Sequence, residues 1–188
     1  MLDNLNLDTT AFTSSYSALK AKWRNDKYEL RQELAAANNC IAIGAGSCYA
    51  DMVAVPRDYP DVVIKICSGD DAFIHYARLC VNGTLNGKHH VKIYSETEIA
   101  PGTWLFVMER LEGRMGQHEW EMTMDRANSW RTLPQRGKYA GICKGLRRDL
   151  GAIKTAFQDE GISYCPDLHK GNVMYRKDGT IVLLDPVC

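Results

Sequence analysis

Several features that would assign a function class at once are missing from this chain. There is no charge imbalance: 23 Lys and Arg residues are matched by 23 Asp and Glu. Composition therefore gives no general attraction to nucleic acid or to an anionic membrane, and any anion site must be local. No apolar run approaches the ~20 residues that a membrane span requires. The opening Met1-Leu2-Asp3-Asn4-Leu5-Asn6 is acidic and polar where a secretory signal is basic and then apolar. The seven cysteines (Cys40, Cys48, Cys67, Cys80, Cys143, Cys165 and Cys188) are an odd set at irregular intervals with no C-x-x-C pair. That spacing argues against a zinc site or a redox couple and for reduced thiols. His89-His90 are adjacent and lack Cys or carboxylate neighbours at ligand spacing, so they do not suggest a metal centre either. The expectation is a soluble cytoplasmic protein with no specific nucleic-acid partner and no membrane partner.

What is present has two textures. Ser14 and Ser15 can cap a helix on which Leu19, Trp23, Leu30 and Leu34 recur, stopped by Asn38-Asn39. Short β-prone runs follow at 41–43, 52–55, 62–66, 91–94 and 103–108, with a helical interruption near Ala72 to Val81. Five short strands and one helix predict an antiparallel sheet. The second half carries one long apolar stripe, Tyr139, Ile142, Leu146, Leu150, Ile153 and Phe157, with Lys144, Arg147 and Arg148 facing away as a solvated face. Gly161 reads as its left-handed cap. Val173-Met174-Tyr175 and Ile181 to Leu184, joined by Lys177-Asp178-Gly179, read as a β-hairpin. The polar stretch from Gly113 to Gly137 is the expected connection between halves, with a short helix. At 188 residues the chain can hold one substantial core or two small lobes.

Phosphoryl transfer from a nucleotide needs few reacting groups, because positioning and charge neutralisation do most of the catalysis. It requires a carboxylate at the substrate hydroxyl, an Asn holding metal one short loop away, and a second carboxylate on the metal. Asp167, Asn172 and Asp185 meet that description, with D-x-x-x-x-N between the first two and a strand-turn-strand before the third. The bland alternative is an Asx-rich hairpin in which Asp167 and Asn172 only cap turns and Asp185 fixes Pro186. The joint pattern, placed straight after a long amphipathic helix, favours chemistry.

Pro166-Asp167-Leu168-His169-Lys170-Gly171-Asn172-Val173-Met174 with Leu184-Asp185-Pro186 resembles the catalytic loop and metal-binding motif of protein-kinase-like enzymes. It is most similar to the short serine/threonine kinases made early in infection by podovirus-type bacteriophages. The resemblance covers residues 40–188 and implies an α+β, minimal two-lobed protein-kinase-like fold. By it, Gly44-Ala45-Gly46-Ser47 resembles the glycine-rich loop over the nucleotide phosphates, with Tyr49 near the third glycine's place; a simple β-turn explains the same residues. Lys65, ending Val62-Val63-Ile64-Lys65, is similar to the lysine that pairs with the α- and β-phosphates; the alternative is a solvated edge residue. Trp104 to Gly113 resembles the strand and hinge of the adenine pocket, with Met108 at its back and the backbone of Glu109 and Leu111 toward the base. His169, and Lys170 after it, occupy the place of a γ-phosphate contact.

The chain departs from that family in three places. No glutamate lies on the helix after Lys65, so either Asp71 substitutes or Lys65 is held by Asp185 and the phosphates alone. Cys165-Pro166 replaces the H-R before the catalytic aspartate. Cys188 follows Asp185 by three residues, so no activation segment and no substrate-binding helices are expected. The expected organisation is an N-terminal helical extension (1–39), an N-lobe with a five-stranded antiparallel sheet (40–112) and a truncated helical C-lobe (113–188). The expected function is transfer from ATP with Mg²⁺ to Ser/Thr of host proteins, and to the chain itself. The alternatives are a kinase-shaped binder that inhibits a host protein, or a small-molecule phosphotransferase. The N-terminal helix either covers the small lobe or mediates dimerisation.

Overall fold

Arg24-Asn25-Asp26 divides the N-terminal region into two helices where the sequence reading expects one. In the computed structural model, which describes residues 9–43, 50–69, 71–114, 116, 120–121, 140–169 and 171–188 (backbone only for 140–143), α1 spans Thr10–Lys22 and α2 spans Lys27–Ala37. The cause is local. Asp26 Oδ1 accepts from the backbone N–H groups of Tyr28 and Glu29, both at 3.1 Å, and so starts a new helix. The Leu19, Trp23, Leu30, Leu34 periodicity spans that break because both helices bury apolar residues. Asn39 then takes a left-handed backbone (φ 52°) and closes α2, as Asn38-Asn39 predicts.

The chain forms two compact units, Met1–Val81 with Lys92–Arg110, and Asn82–Val91 with Leu111–Cys188. The first holds an antiparallel sheet in the order β1-β2-β3-β5-β4. Its strands are β1 (Cys40–Ala42), β2 (Ala50–Pro56), β3 (Val62–Ser68), β4 (Ile93–Ala100) and β5 (Thr103–Glu109), with α3 (Ala72–Val81) between β3 and β4. Four of the five strands lie where the apolar runs put them. β4 does not: it runs on through Ser95-Glu96-Thr97-Glu98, which reads as loop. An edge strand tolerates these residues because one side meets solvent, and their side chains are bonded locally, Glu96 to Arg78 at 3.3 Å and Glu98 to the Gly102 N–H at 3.0 Å.

Alternation along β3 sorts its side chains to two covered faces. Val62, Ile64 and Ile66 join Phe12, Tyr16, Leu34 and Ala35 of the two N-terminal helices in one core. The helix pair therefore covers its own sheet. Lys65 lies on the other face, where Phe73 of α3 stands edge-on to Phe106 of β5 at 5.5 Å. Sheet and helices together make this unit α+β.

α1 is latched to the sheet by a buried polar cluster. Tyr16 donates to Asp51 Oδ2 at 2.5 Å, Lys20 Nζ reaches the same oxygen at 3.0 Å, and Ser68 donates to it at 3.0 Å. Burial raises the Asp51 pKa, but the hydrogen bonds from Tyr16 and Lys20 outweigh it and hold the carboxyl below its usual 3.8. A carboxylate depressed in the folded state adds stability above its unfolded pKa and loses it as pH falls through the folded one. Asp51→Asn is thus expected to lower Tm at neutral pH, with the gap to wild type closing as pH drops below about 4. Parallel thermal melts from pH 7 to pH 3 would expose the error if the gap stayed constant.

The second unit is built on α4 (Ala140–Asp159), in which Leu146, Leu150, Ile153 and Phe157 of the predicted stripe are buried. Tyr139 and the side chain of Ile142 lie outside the described residues, as does most of the 113–137 connection with its expected helix. Gly161, at φ 70°, closes α4: its N–H bonds Gln158 O at 3.0 Å and the next, Ile162 N–H, bonds Phe157 O at 2.8 Å. This pair of bonds is the Schellman arrangement, which favours a residue without Cβ. β6 (Val173–Tyr175) and β7 (Ile181–Leu183) form the predicted hairpin, with Gly179 at φ 80° in its turn. Neighbouring segments widen it on both sides. Leu183 N–H bonds His89 O at 2.7 Å, and Glu112 N–H bonds Tyr175 O at 2.8 Å. Among the described residues no helix is long and apolar enough to cross a membrane.

Candidate active site

The loop between α4 and β6 carries the D-x-H-x-G-N sequence, and the hairpin places it. Leu184 N–H donates to Asn172 O at 2.8 Å, and Asp167 N–H donates to Pro186 O at 2.9 Å. Asp185 therefore sits between two residues bonded to the two ends of the loop. The second unit thus brings together Asp167, His169, Asn172 and Asp185.

Within the loop the side chains are oriented by one another. Asn172 Nδ2 donates to both the carbonyl and the Oδ2 of Asp167, each at 2.9 Å. Two acceptors fix which way the amide points, since a carbonyl oxygen turned toward them would be repelled. Asn172 Oδ1 is then the oxygen directed elsewhere. The bond to the Asp167 carbonyl is a local cap of the loop; the second bond holds a carboxylate. Gly171 N–H donates to His169 Nδ1 at 2.9 Å, so the neutral ring carries its proton on Nε2. That nitrogen lies 3.7 Å from Asp167 Oδ2, beyond hydrogen-bond range. A Cβ on Gly171 would come within 2.6 Å of His169 Cε1, so the glycine of the motif is a steric requirement of the histidine's pose.

In the first unit, Lys65 is no edge residue. It lies on the middle strand of the sheet, opposite Val53 and Phe106, and is 6% exposed. Its Nζ stands 3.4 Å from the centroid of the Phe73 ring, a cation–π contact across the α3 face. Asp71 does not substitute for the missing glutamate: its Oδ1 caps α3 by accepting from Phe73 N–H at 3.0 Å, and its Oδ2 is buried without a hydrogen bond. Met108 is buried on β5, paired with Val63 and Ile93. Glu109 N–H donates to Lys92 O at 2.9 Å, so a contact from its backbone to a base would have to come through its carbonyl. Leu111 belongs to the second unit and is buried. Gly44, Ala45, Gly46, Ser47 and Lys170 lie outside the described residues.

Sequence reading missed the residues that shape the second unit around the loop. Arg176 donates to Lys88 O at 2.5 Å and His90 O at 2.8 Å, while buried Asp149 accepts from His89 N–H at 3.1 Å. His89 Nδ1–H donates to Ile181 O at 2.7 Å. Burial lowers the pKa of both histidines, that of His90 to about 4, so they fill the interior as neutral rings. The place of Asp149 between Leu146 and Ile153 on the apolar stripe of α4 is the sequence signal that hinted at a buried partner.

No family model matches the chain, and no curated protein matches it significantly. Among solved structures it is similar to a crystal structure of Rad53 residues 1–466 in complex with AMP-PNP, with a TM-score of 0.44 and 22% identity, covering 86% of this chain and 42% of that one. The chain thus spans less than half the length of the Rad53 chain it matches. A TM-score below 0.5 does not establish a shared fold, and the architecture stands on the elements described above.

Proposed function

We propose that the protein is a kinase-like phosphotransferase that moves the γ-phosphoryl group of ATP, with Mg²⁺, to a serine or threonine hydroxyl of a protein. One observation carries this reading: Asn172 holds the Asp167 carboxylate while the hairpin bonds at Leu184 and Pro186 bring Asp185 beside both. Asp167, oriented by Asn172 and 41% exposed at its side chain, is poised to accept a hydroxyl proton. Asn172 Oδ1 and the Asp185 carboxylate are hard oxygen donors suited to Mg²⁺, which when bound neutralises phosphate charge. His169, with its proton on Nε2, is a donor toward the transferred phosphoryl oxygens. The resemblance assigns Lys65 to the α- and β-phosphates.

The finer assignment rests on the resemblance of 166–174 and 184–186 to the early phage kinases. By it the acceptors are host proteins and the chain itself, in the host cytoplasm. A second reading, a kinase-shaped binder that occupies a host protein, is favoured by the capping role of Asp71, whose Oδ1 accepts from Phe73 N–H at 3.0 Å. Incubating the chain with labelled ATP and Mg²⁺, alone and with bacterial lysate, separates the two. Label in protein, with a Tm raised by ATP and Mg²⁺, supports transfer. No label and an unmoved Tm support the binder.

A further inference from the structure

The described cysteines divide sharply. Cys40 and Cys67 are buried and Cys80 is half-buried, whereas Cys165 and Cys188 are exposed and all five are free thiols. Burial pushes the Cys40 thiol up to about 11 and the Cys80 thiol up to about 12, and the hydrogen bond with Cys165 pushes the Cys188 thiol up to about 11, so exposure and geometry, not acidity, single out the exposed pair. The exposed pair is 23 residues apart in sequence, yet their Sγ atoms lie 2.8 Å apart.

The backbone accounts for that approach. Pro166 and Val187 form an antiparallel bridge, flanked by Asp167 N–H to Pro186 O at 2.9 Å and Cys188 N–H to Cys165 O at 3.0 Å. Cys165 and Cys188 are thus directly opposite on a short two-stranded ladder, at a hydrogen-bonded position. Residues so placed have Cα atoms about 5.5 Å apart, inside the window of roughly 4.4–6.8 Å that a disulfide spans. The side chains already point at each other, so closure needs only a small sulfur movement. The strands so joined carry Asp167 on one side and Asp185 on the other.

We propose that Cys165 and Cys188 are a modification site for peroxide oxidants, forming a reversible disulfide that staples the two arms of the Asp167–Asp185 loop. One sulfur attacks a peroxide oxygen, the O–O bond breaks, and a sulfenic acid forms with release of water or an alcohol. The second sulfur attacks the sulfenic sulfur; the S–S bond forms, the S–O bond breaks, and hydroxide leaves as water with the remaining thiol proton. Two thiols lose two electrons and two protons in total, and the peroxide gains both. A thiol reductant reverses the step by exchange. Because the ladder exists before oxidation, the bridge keeps the loop's geometry and removes freedom from the unfolded chain instead. This inference does not depend on phosphoryl transfer.

Treating the protein with a slight excess of hydrogen peroxide, then alkylating and digesting it, tests the proposal. The expected result is a monomer lighter by about 2 Da, a Cys165–Cys188 linked peptide, and a Tm higher by about 5–10 °C that dithiothreitol reverses. Cys165→Ser and Cys188→Ser, both at exposed positions, should fold, keep the reduced Tm and show neither the mass loss nor the rise. Linkage of either residue to another cysteine, a disulfide-linked dimer, or sulfinic acid at Cys165 without the linked peptide would overturn it.

Discussion

Asp167→Asn is expected to slow phosphoryl transfer about 10²–10⁴-fold, the usual contribution of a positioned proton acceptor, with little change in Tm. The substitution is chosen for its geometry. Asparagine keeps an oxygen that can accept from Asn172 Nδ2, which now lies 2.9 Å from both the carbonyl and Oδ2 of residue 167. The loop bond from Asp167 N–H to Pro186 O involves only backbone and is untouched. What disappears is the negative charge and its proton affinity. Initial rates with labelled ATP, taken beside a thermal melt, separate the two effects. A variant that transfers at the wild-type rate would remove Asp167 from the reaction. A variant that loses rate and Tm together would show that the carboxylate matters for the loop's fold instead.

Much of this arrangement was legible in the sequence because it is local. Apolar runs bounded by Gly, Pro and Asp set β1, β2, β3 and β5, and the Asp178-Gly179 turn set the hairpin that carries Asp185. The motif around Asp167 was legible for the same reason: its parts touch within six residues, so spacing encodes geometry. Long-range pairings were not. Nothing in the spacing of Cys165 and Cys188 announces a cross-strand contact, since that depends on the ladder at Pro166 and Val187. The break at Asp26 was hidden because the same periodic apolar residues serve two helices. The continuation of β4 was hidden because an edge strand needs no apolar alternation. The burial of His89 was barely legible for a third reason, because its partners, Asp149 and Ile181, lie 60 and 92 residues away.

Lys65 presents the sharpest choice between structure and chemistry, and Lys65→Met should resolve it. A lysine 6% exposed on the middle strand of a sheet has lost most of its hydration, which a fold gains nothing by imposing. Its contact with the Phe73 face at 3.4 Å returns part of that cost, on the order of 2 kcal/mol for a desolvated cation over a ring. Methionine has nearly the same length and no charge, and it packs well against aromatic rings. Replacing a whole buried ion pair by apolar residues is often neutral or stabilising, whereas removing one member of a pair is not. The expected outcome is a protein that still melts cooperatively and transfers about 10²–10³-fold more slowly, the typical cost of deleting one preorganised charge at a reacting group. Lys65→Arg should not restore the rate, since a planar guanidinium does not reproduce the position of a compact ammonium. A stable Lys65→Met protein with undiminished transfer would mean that the lysine serves the sheet alone. A stable protein with transfer lost would show why a charge is kept in this interior: it is held ready on an aromatic surface for phosphates, where a purely structural position would have been filled by the methionine.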